Sequence, residues 1–282
     1  SPNPPFGGYG PSFVNPKTGQ ILGADIMLEY VYFTNRVKYE RLHRTFNSDS
    51  ELKFDPENTC LAGDYLHQGN LFGLAALSTV DDFSQLEQHR LIYESLVKLT
   101  LHEVGHTLGL NHNFYASHLH SFKNIHDRII TEPVGLTSSV MDYVSANVND
   151  KPKHHGQFYS TTPGPYDVWA IEFGYTVPIK SPTDEKERIE LLLGQSTKNE
   201  LRFGNDADDM RSPGKGIDPR VNTSDMSTDP VAYAKQRMDI VRSLYPGLKK
   251  RYERPGESYH AFTDAFSILN REYRNSAMVI SR

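Results

Sequence analysis

The chain has 282 residues, 37% of them apolar, 23% charged and 11% aromatic, with a net charge of −5. That is enough length for one large domain or two smaller ones around a full core, and too aromatic and too sparsely charged for a disordered chain. No basic stripe is present to neutralise phosphates, which argues against a nucleic-acid partner. The most apolar stretch, residues 71–80, is half of the roughly 20 residues a transmembrane helix needs, and the single Cys60 excludes an intramolecular disulfide.

Residues 1–20 are rich in Pro and Gly and predict turns running over the surface. The opening Ser1-Pro2-Asn3-Pro4-Pro5 has neither an initiator Met nor an apolar signal core, so the chain reads as an excerpt of a longer protein or a mature form. Residues 21–29 predict a strand and residues 31–46 a helix. The firmest element is a helix over residues 82–108. Asp81 and Asp82 are good N-cap residues, Gln85 is placed for a capping box against Asp82, and Leu86, Ile92, Tyr93, Leu96, Val97, Leu99, Leu101, Val104 and Leu108 fall near helical spacing. Gly109 follows as the left-handed residue that ends it.

Residues 111–157 have no sustained period and read as loop. A helix over 166–173 is predicted to stop at Gly174, and further helices are predicted over 184–193, 230–244 and 256–274. Between them, residues 204–230 form a polar, Asp-rich loop, and no internal repeat is present. The apolar end, Ala277 to Ile280, lacks a helix stop and again suggests a cut chain.

Chemistry concentrates at the end of the long helix, in His102-Glu103-Val104-Gly105-His106-Thr107-Leu108-Gly109-Leu110-Asn111-His112. Histidines four apart lie one turn above each other and reach one zinc ion, while the glutamate between them faces the same site as a proton acceptor. A straight helix cannot aim a third ligand at that ion, so Gly109 is needed to turn His112 back toward it. Three neutral imidazoles leave an open coordination position, the mark of a catalytic rather than a structural site. Random placement of this composition yields the pattern in roughly one chain in 10⁴.

The pattern resembles that of the metzincin metallopeptidases, whose second mark is a methionine turn downstream. Ser138-Ser139-Val140-Met141-Asp142-Tyr143 is similar to that turn. The resemblance implies that Met141 is a hydrophobic floor beneath the zinc. By analogy with the astacin-like and serralysin-like branches, it also implies that Tyr143 ligates zinc and swings away to stabilise the tetrahedral intermediate. Those branches carry His between the two, where this chain has Asp142. A narrower resemblance runs from Gly7 to about Ala234, through His112–Ser117, the methionine turn, Gly164–Tyr175, Asp218–Val221 and Asp229–Ala234. It points to a large bacterial family of zinc-dependent metalloproteases with a Met-zincin catalytic module inside longer secreted or periplasmic proteins.

The resemblance implies an α+β, zincin-like fold with a twisted mixed sheet, a long active-site helix and a mostly helical C-terminal part. Residues 1–180 form the expected catalytic domain and 181–282 a helical subdomain packed on it. The expected activity is zinc-dependent peptide hydrolysis with one Zn2+ held by His102, His106 and His112, and with Glu103 as general base. The substrate is a peptide or protein, bound as an extended strand along residues 71–78 or 21–29, and the setting is the periplasm or surface of a bacterium. The alternatives are an inactive zinc-binding scaffold and a zinc hydrolase of another amide, such as peptidoglycan or a glycopeptide. Asn205 to Asp209, with Asp218 and Asp225, is oxygen-rich in the way of a Ca2+ loop but lacks the EF-hand spacing and reads first as a solvated turn. His118, His120, His126, His154 and His155 read as surface residues, and Cys60 as a buried hydrophobe or inert thiol.

Overall fold

The computed structural model describes residues 8–9, 11–28, 60–77, 85–150, 156–210, 216, 218–253, 255–256 and 258–282. The helix predicted over 31–46, Asp82 of the predicted capping box, and His154 and His155 lie outside these residues. The described fold is mostly helical with a small β component. Among the described residues, no helix is long and apolar enough to cross a membrane.

The β component is four short strands, β1 (Gly8–Tyr9), β2 (Ser12–Val14), β3 (Ile21–Ala24) and β4 (Met27–Leu28). β2 and β3 pair antiparallel with Ser12 opposite Ala24 and Phe13 opposite Gly23, and β1 pairs antiparallel with β4. The segment predicted as surface turn therefore contains strands. Its turn chemistry serves the β2–β3 hairpin, where Gly19 takes φ +72° and its N–H bonds to the Asn15 carbonyl. Among the described residues these two ladders are the whole of the β structure, and the twisted mixed sheet expected before the long helix is not seen there.

The edge strand that the resemblance implied over residues 71–78 is corrected: Leu71 to Leu77 belong to helix α1 (Ala62–Leu77), and Ser78 lies outside the described residues. A short apolar run fits a buried helix as well as a strand, and here the helix is buried on more than one side. An added Cβ at Gly73 would sit 2.8 Å from Leu91 Cδ2, and one at Gly69 would overlap the Tyr159 hydroxyl, so both glycines permit close crossings. Leu91 lies on the long helix α2 (Gln85–Thr107), whose Leu99 is also fully buried.

After α2 the chain is largely irregular, broken by a 3-10 turn at Ala116–Leu119 and by α3 (Arg128–Thr131), which Asp127 caps through the Ile129 N–H. Irregular here does not mean exposed. Phe114, Ile125, Leu136, Met141, Tyr143, Val144, Phe158 and Tyr159 are all buried, and their backbone is tied down by side chains. Glu94 of α2, for example, accepts from the Phe158 and Tyr159 N–H groups.

Helix α4 (Pro165–Tyr175) runs one residue past Gly174, which lies within it, and α5 (Pro182–Leu193) begins with a Ser181 cap. Helix α6 (Pro230–Tyr252) continues through Pro246, beyond the predicted end at 244. Proline costs about 3 kcal/mol inside a helix. The buried face formed by Ile240, Val241, Leu244 and Leu248 offsets that cost at about 1.5–3 kcal/mol per large apolar side chain. Helix α7 (His260–Ser281) packs along α6, and both touch α1. The fully buried Arg237 of α6 joins them: it pairs with Glu272 of α7, donates to the Ala146 carbonyl, and lies 4.5 Å over the Phe72 ring of α1.

Candidate metal centre

The last turn of α2 sets the first two histidines. The helix ends in a Schellman arrangement: the Leu110 N–H bonds to the Gly105 carbonyl at 3.0 Å, the Gly109 N–H bonds to the His106 carbonyl at 3.0 Å, and Gly109 has φ +87°. This reversal carries the chain back over the helix end and brings His112 against His102 and His106. Ring centroids are 4.8 Å apart for His102–His106 and His106–His112, and 5.4 Å for His102–His112.

Each imidazole is oriented by a hydrogen bond at Nδ1. His102 donates to the Val140 carbonyl at 2.8 Å, His106 to the Leu110 carbonyl at 3.1 Å, and His112 to Asp206 Oδ2 at 2.6 Å. A carbonyl or carboxylate oxygen accepts only, so the proton sits on Nδ1 and Nε2 is the ring atom that carries the lone pair for ligation, on His112 the one that accepts from the Tyr143 hydroxyl. Burial, helped by the neighbouring rings, pushes His102 well below the ordinary histidine range and His106 down to about 4. Both are therefore neutral at pH 7, the state a metal ligand requires.

The methionine turn forms the floor. Met141 is fully buried against α2, so close that a Cβ at Gly105 would overlap its Sδ. The turn is held from behind by Asp167 near the start of α4, which accepts from Ser139 Oγ at 2.6 Å and from the Val140 and Gly164 N–H groups at 2.8 Å. Lys98, one turn before His102, donates to the same Val140 carbonyl at 2.7 Å. Asp142 turns inward to accept from the Ser117 N–H at 2.8 Å, and burial raises its carboxyl well above the usual range despite the nearby Lys98.

Glu103 and Tyr143 complete the space in front of the rings. Glu103 is fully buried; burial raises it to about 7, and its Oε2 has no hydrogen-bond partner among the described residues. The Tyr143 hydroxyl donates to His112 Nε2 at 2.8 Å and accepts from the Leu61 N–H at 2.9 Å, while the ring stacks on Tyr65 at 5.0 Å. Cys60 Sγ stands 3.4 Å from His102 Nε2. One ligand atom from each of Cys60, His102, His106 and His112 lies within 4.8 Å of the others, and His106 Nε2 is buried without a partner among the described residues. This donor set fits a zinc ion: nitrogen and sulfur ligands, tautomers fixed, and a buried His106 Nε2 lone pair otherwise left unsatisfied.

Sequence reasoning missed three features of this centre. Asp206, read as part of a calcium-like turn, orients His112; the other acidic residues of that loop go elsewhere, Asp218 to Arg220 and Asp225 to His118. Cys60 faces the histidines, and burial, which pushes its thiol up to about 12, keeps it protonated as the inert thiol expected. Lys98 and Asp167 brace the methionine turn, and the signal for Lys98 was a charge on the apolar face of α2 four residues before His102. The histidines expected at the surface are corrected as well. His120 is buried with Nε2 2.8 Å from the Gly135 carbonyl, and His118 and His126 are mostly buried against Asp225 and Gln236. The loop that carries Asp206 is bound to the site, with the Phe114 N–H bonding the Gly204 carbonyl at 2.7 Å and the Ser224 N–H the Tyr143 carbonyl at 2.9 Å.

The model of a protein family described as Met-zincin matches residues 84–282. No curated protein and no solved structure matches the chain.

Proposed function

The chain belongs to the Met-zincin family, and from that premise we propose that it is a zinc-dependent endopeptidase with His102, His106 and His112 as metal ligands. The observation that carries the reading is the convergence of three oriented imidazoles on a space that also receives the partnerless Glu103 Oε2. Zinc bound there supplies a Lewis acid that polarises the scissile carbonyl and makes water acidic enough to be deprotonated near neutral pH.

The protein's own groups do the proton work. Glu103 takes the proton from the attacking water and returns it to the leaving amine. Its position near pH 7, set by burial, suits both directions of that transfer. Tyr143 turns its hydroxyl from His112 and Leu61 to donate to the oxyanion, and Met141 and Asp167 keep the floor and the His102 anchor fixed meanwhile. Residues 1–180 are the proposed catalytic unit, with residues 181–282 packed on it and supplying Asp206. An extended peptide lies along the β3–β4 side of the molecule, since residues 71–77 are helical.

Glu103→Ala is the test. Zinc stays bound and hydrolysis of a proteome-derived peptide library, read by mass spectrometry, falls to background. Tyr143→Phe loses about 10- to 100-fold, as for one oxyanion donor. Near-wild-type turnover in Glu103→Ala would overturn the mechanism. Zinc binding without cleavage of any peptide by the wild type would indicate a scaffold, and cleavage confined to cell-wall amides a different hydrolase.

A further inference from the structure

The three imidazoles are held alike at Nδ1 but are backed by different charge. His112 donates to the Asp206 carboxylate, His106 to the Leu110 carbonyl, and His102 to the Val140 carbonyl, which also accepts from a buried ammonium. That ammonium is Lys98, on α2 one turn before His102 and only 1% exposed. Its Nζ stands 2.7 Å from the Val140 oxygen, and His102 Nδ1 stands 2.8 Å from the same atom. Two donors along the lone pairs of one carbonyl are about 4.5 Å apart.

A neutral donor would brace the methionine turn as well, and burying a charge is unfavourable unless partners compensate it. Here the compensation is partial. Asp142 and Asp167 are the carboxyls that face Lys98. Asp167 already accepts from Ser139 Oγ and from the Val140 and Gly164 N–H groups. Burial holds Asp142 well above the usual carboxylate range, which favours its neutral form. Burial also lowers Lys98, to about 8, which leaves it charged at neutral pH.

Resting on the zinc reading above, we propose that Lys98 is a positioning residue for the metal's electronics: acting through the shared Val140 carbonyl, its charge makes His102 a weaker donor to zinc. An anion behind a ligating imidazole raises its basicity, as Asp206 does for His112, and a cation behind it does the reverse. In keeping with this, Lys98 adds to burial and to the His106 and His112 rings in pushing His102 down. The other titratable groups against His102 are Cys60, at 3.4 Å, and Glu103 beside it in the chain. A metal that receives less density from one ligand keeps more positive charge for polarising the scissile carbonyl. The arrangement thus lowers metal affinity and raises Lewis acidity.

The test uses the intact chain, with Zn2+ alone in competition with a chromogenic chelator at fixed pH. Lys98→Gln keeps an N–H donor for Val140 without the charge, and Lys98→Met removes both. With the charge gone, both variants bind zinc about 3- to 10-fold more tightly, a change opposite in sign to the usual loss of a partner behind a ligand. Peptide cleavage slows in kcat rather than in KM, and the acid limb of kcat/KM moves up by about half a pH unit, as for withdrawal of a nearby cation. A residue that only braces the turn gives a different pattern: Lys98→Met binds zinc more weakly, Lys98→Gln binds like the wild type, and the acid limb stays in place. That pattern overturns the inference, and where Lys98→Met does not fold, wild-type or weaker zinc binding by Lys98→Gln is sufficient to do so. His106→Ala reports on the underlying site. If it binds Zn2+ as the wild type does, the histidine reading fails and the role of Lys98 with it. If it loses the metal while Lys98→Gln shows no tighter binding, only the role of Lys98 is overturned.

Discussion

Two of the three histidines are oriented by backbone carbonyls, which no substitution removes. His112 alone depends on a side chain, Asp206 Oδ2 at 2.6 Å from Nδ1. Asp206→Ala is therefore the one change that deletes an imidazole anchor without touching a ligand. Loss of such a partner costs metal affinity about 10- to 100-fold, or about 1.4–2.7 kcal/mol. Two features set the expectation at the lower end. The Asp206 side chain is 39% exposed, so solvent screens much of its charge, and the His112 ring is also held by stacking on Phe114 at 5.3 Å. About tenfold weaker zinc binding is expected for Asp206→Ala, and less for Asp206→Asn, whose amide oxygen still accepts from Nδ1. The assay is competition with a chromogenic chelator at fixed pH. Asp218→Ala serves as control, since Asp218 pairs with Arg220 on the surface. Wild-type affinity in Asp206→Ala would refute the claim that this carboxylate positions the third ligand.

Other substitutions probe the floor, the base and the C-terminal helices. Gly105→Ala drives a methyl into Met141 Sδ; a loss of about 1–3 kcal/mol in denaturant unfolding and weaker zinc binding are expected, and an unchanged affinity would mean Met141 does not support the site. The pH profile of kcat/KM falls on the acid side with a midpoint below about 7, because burial sets Glu103 near 7 and a bound cation draws it lower; activity rising toward pH 5 would contradict a carboxylate base. Glu272→Ala strands the buried Arg237 charge, for about 3–5 kcal/mol. At about 2–4 °C per kcal/mol the melting temperature falls roughly 6–20 °C, and a fall under 3 °C would show that α6 and α7 do not support the catalytic core.

The parts of the site visible in the sequence are those whose geometry is local. His102, Glu103 and His106 share a face because of helical spacing, and Gly109 reverses the chain because its left-handed conformation suits glycine; all of this is fixed within residues 102–112. Met141 and Tyr143 needed the family resemblance, since a lone methionine or tyrosine carries no spacing of its own. Asp206 and Cys60 had no such support. One lies 94 residues after His112 and the other 42 before His102, and only the folded chain brings them near.

The strand read into residues 71–78 failed for a different reason. The run is apolar all round because α1 is covered by α2 on one side and by Ala146, Tyr159 and the C-terminal helices on others. Full burial erases the periodicity that separates helix from strand. Gly69 and Gly73, four apart, were the available clue: glycine weakens both helix and strand interiors, and that spacing puts both on one helical face, where close crossings need them.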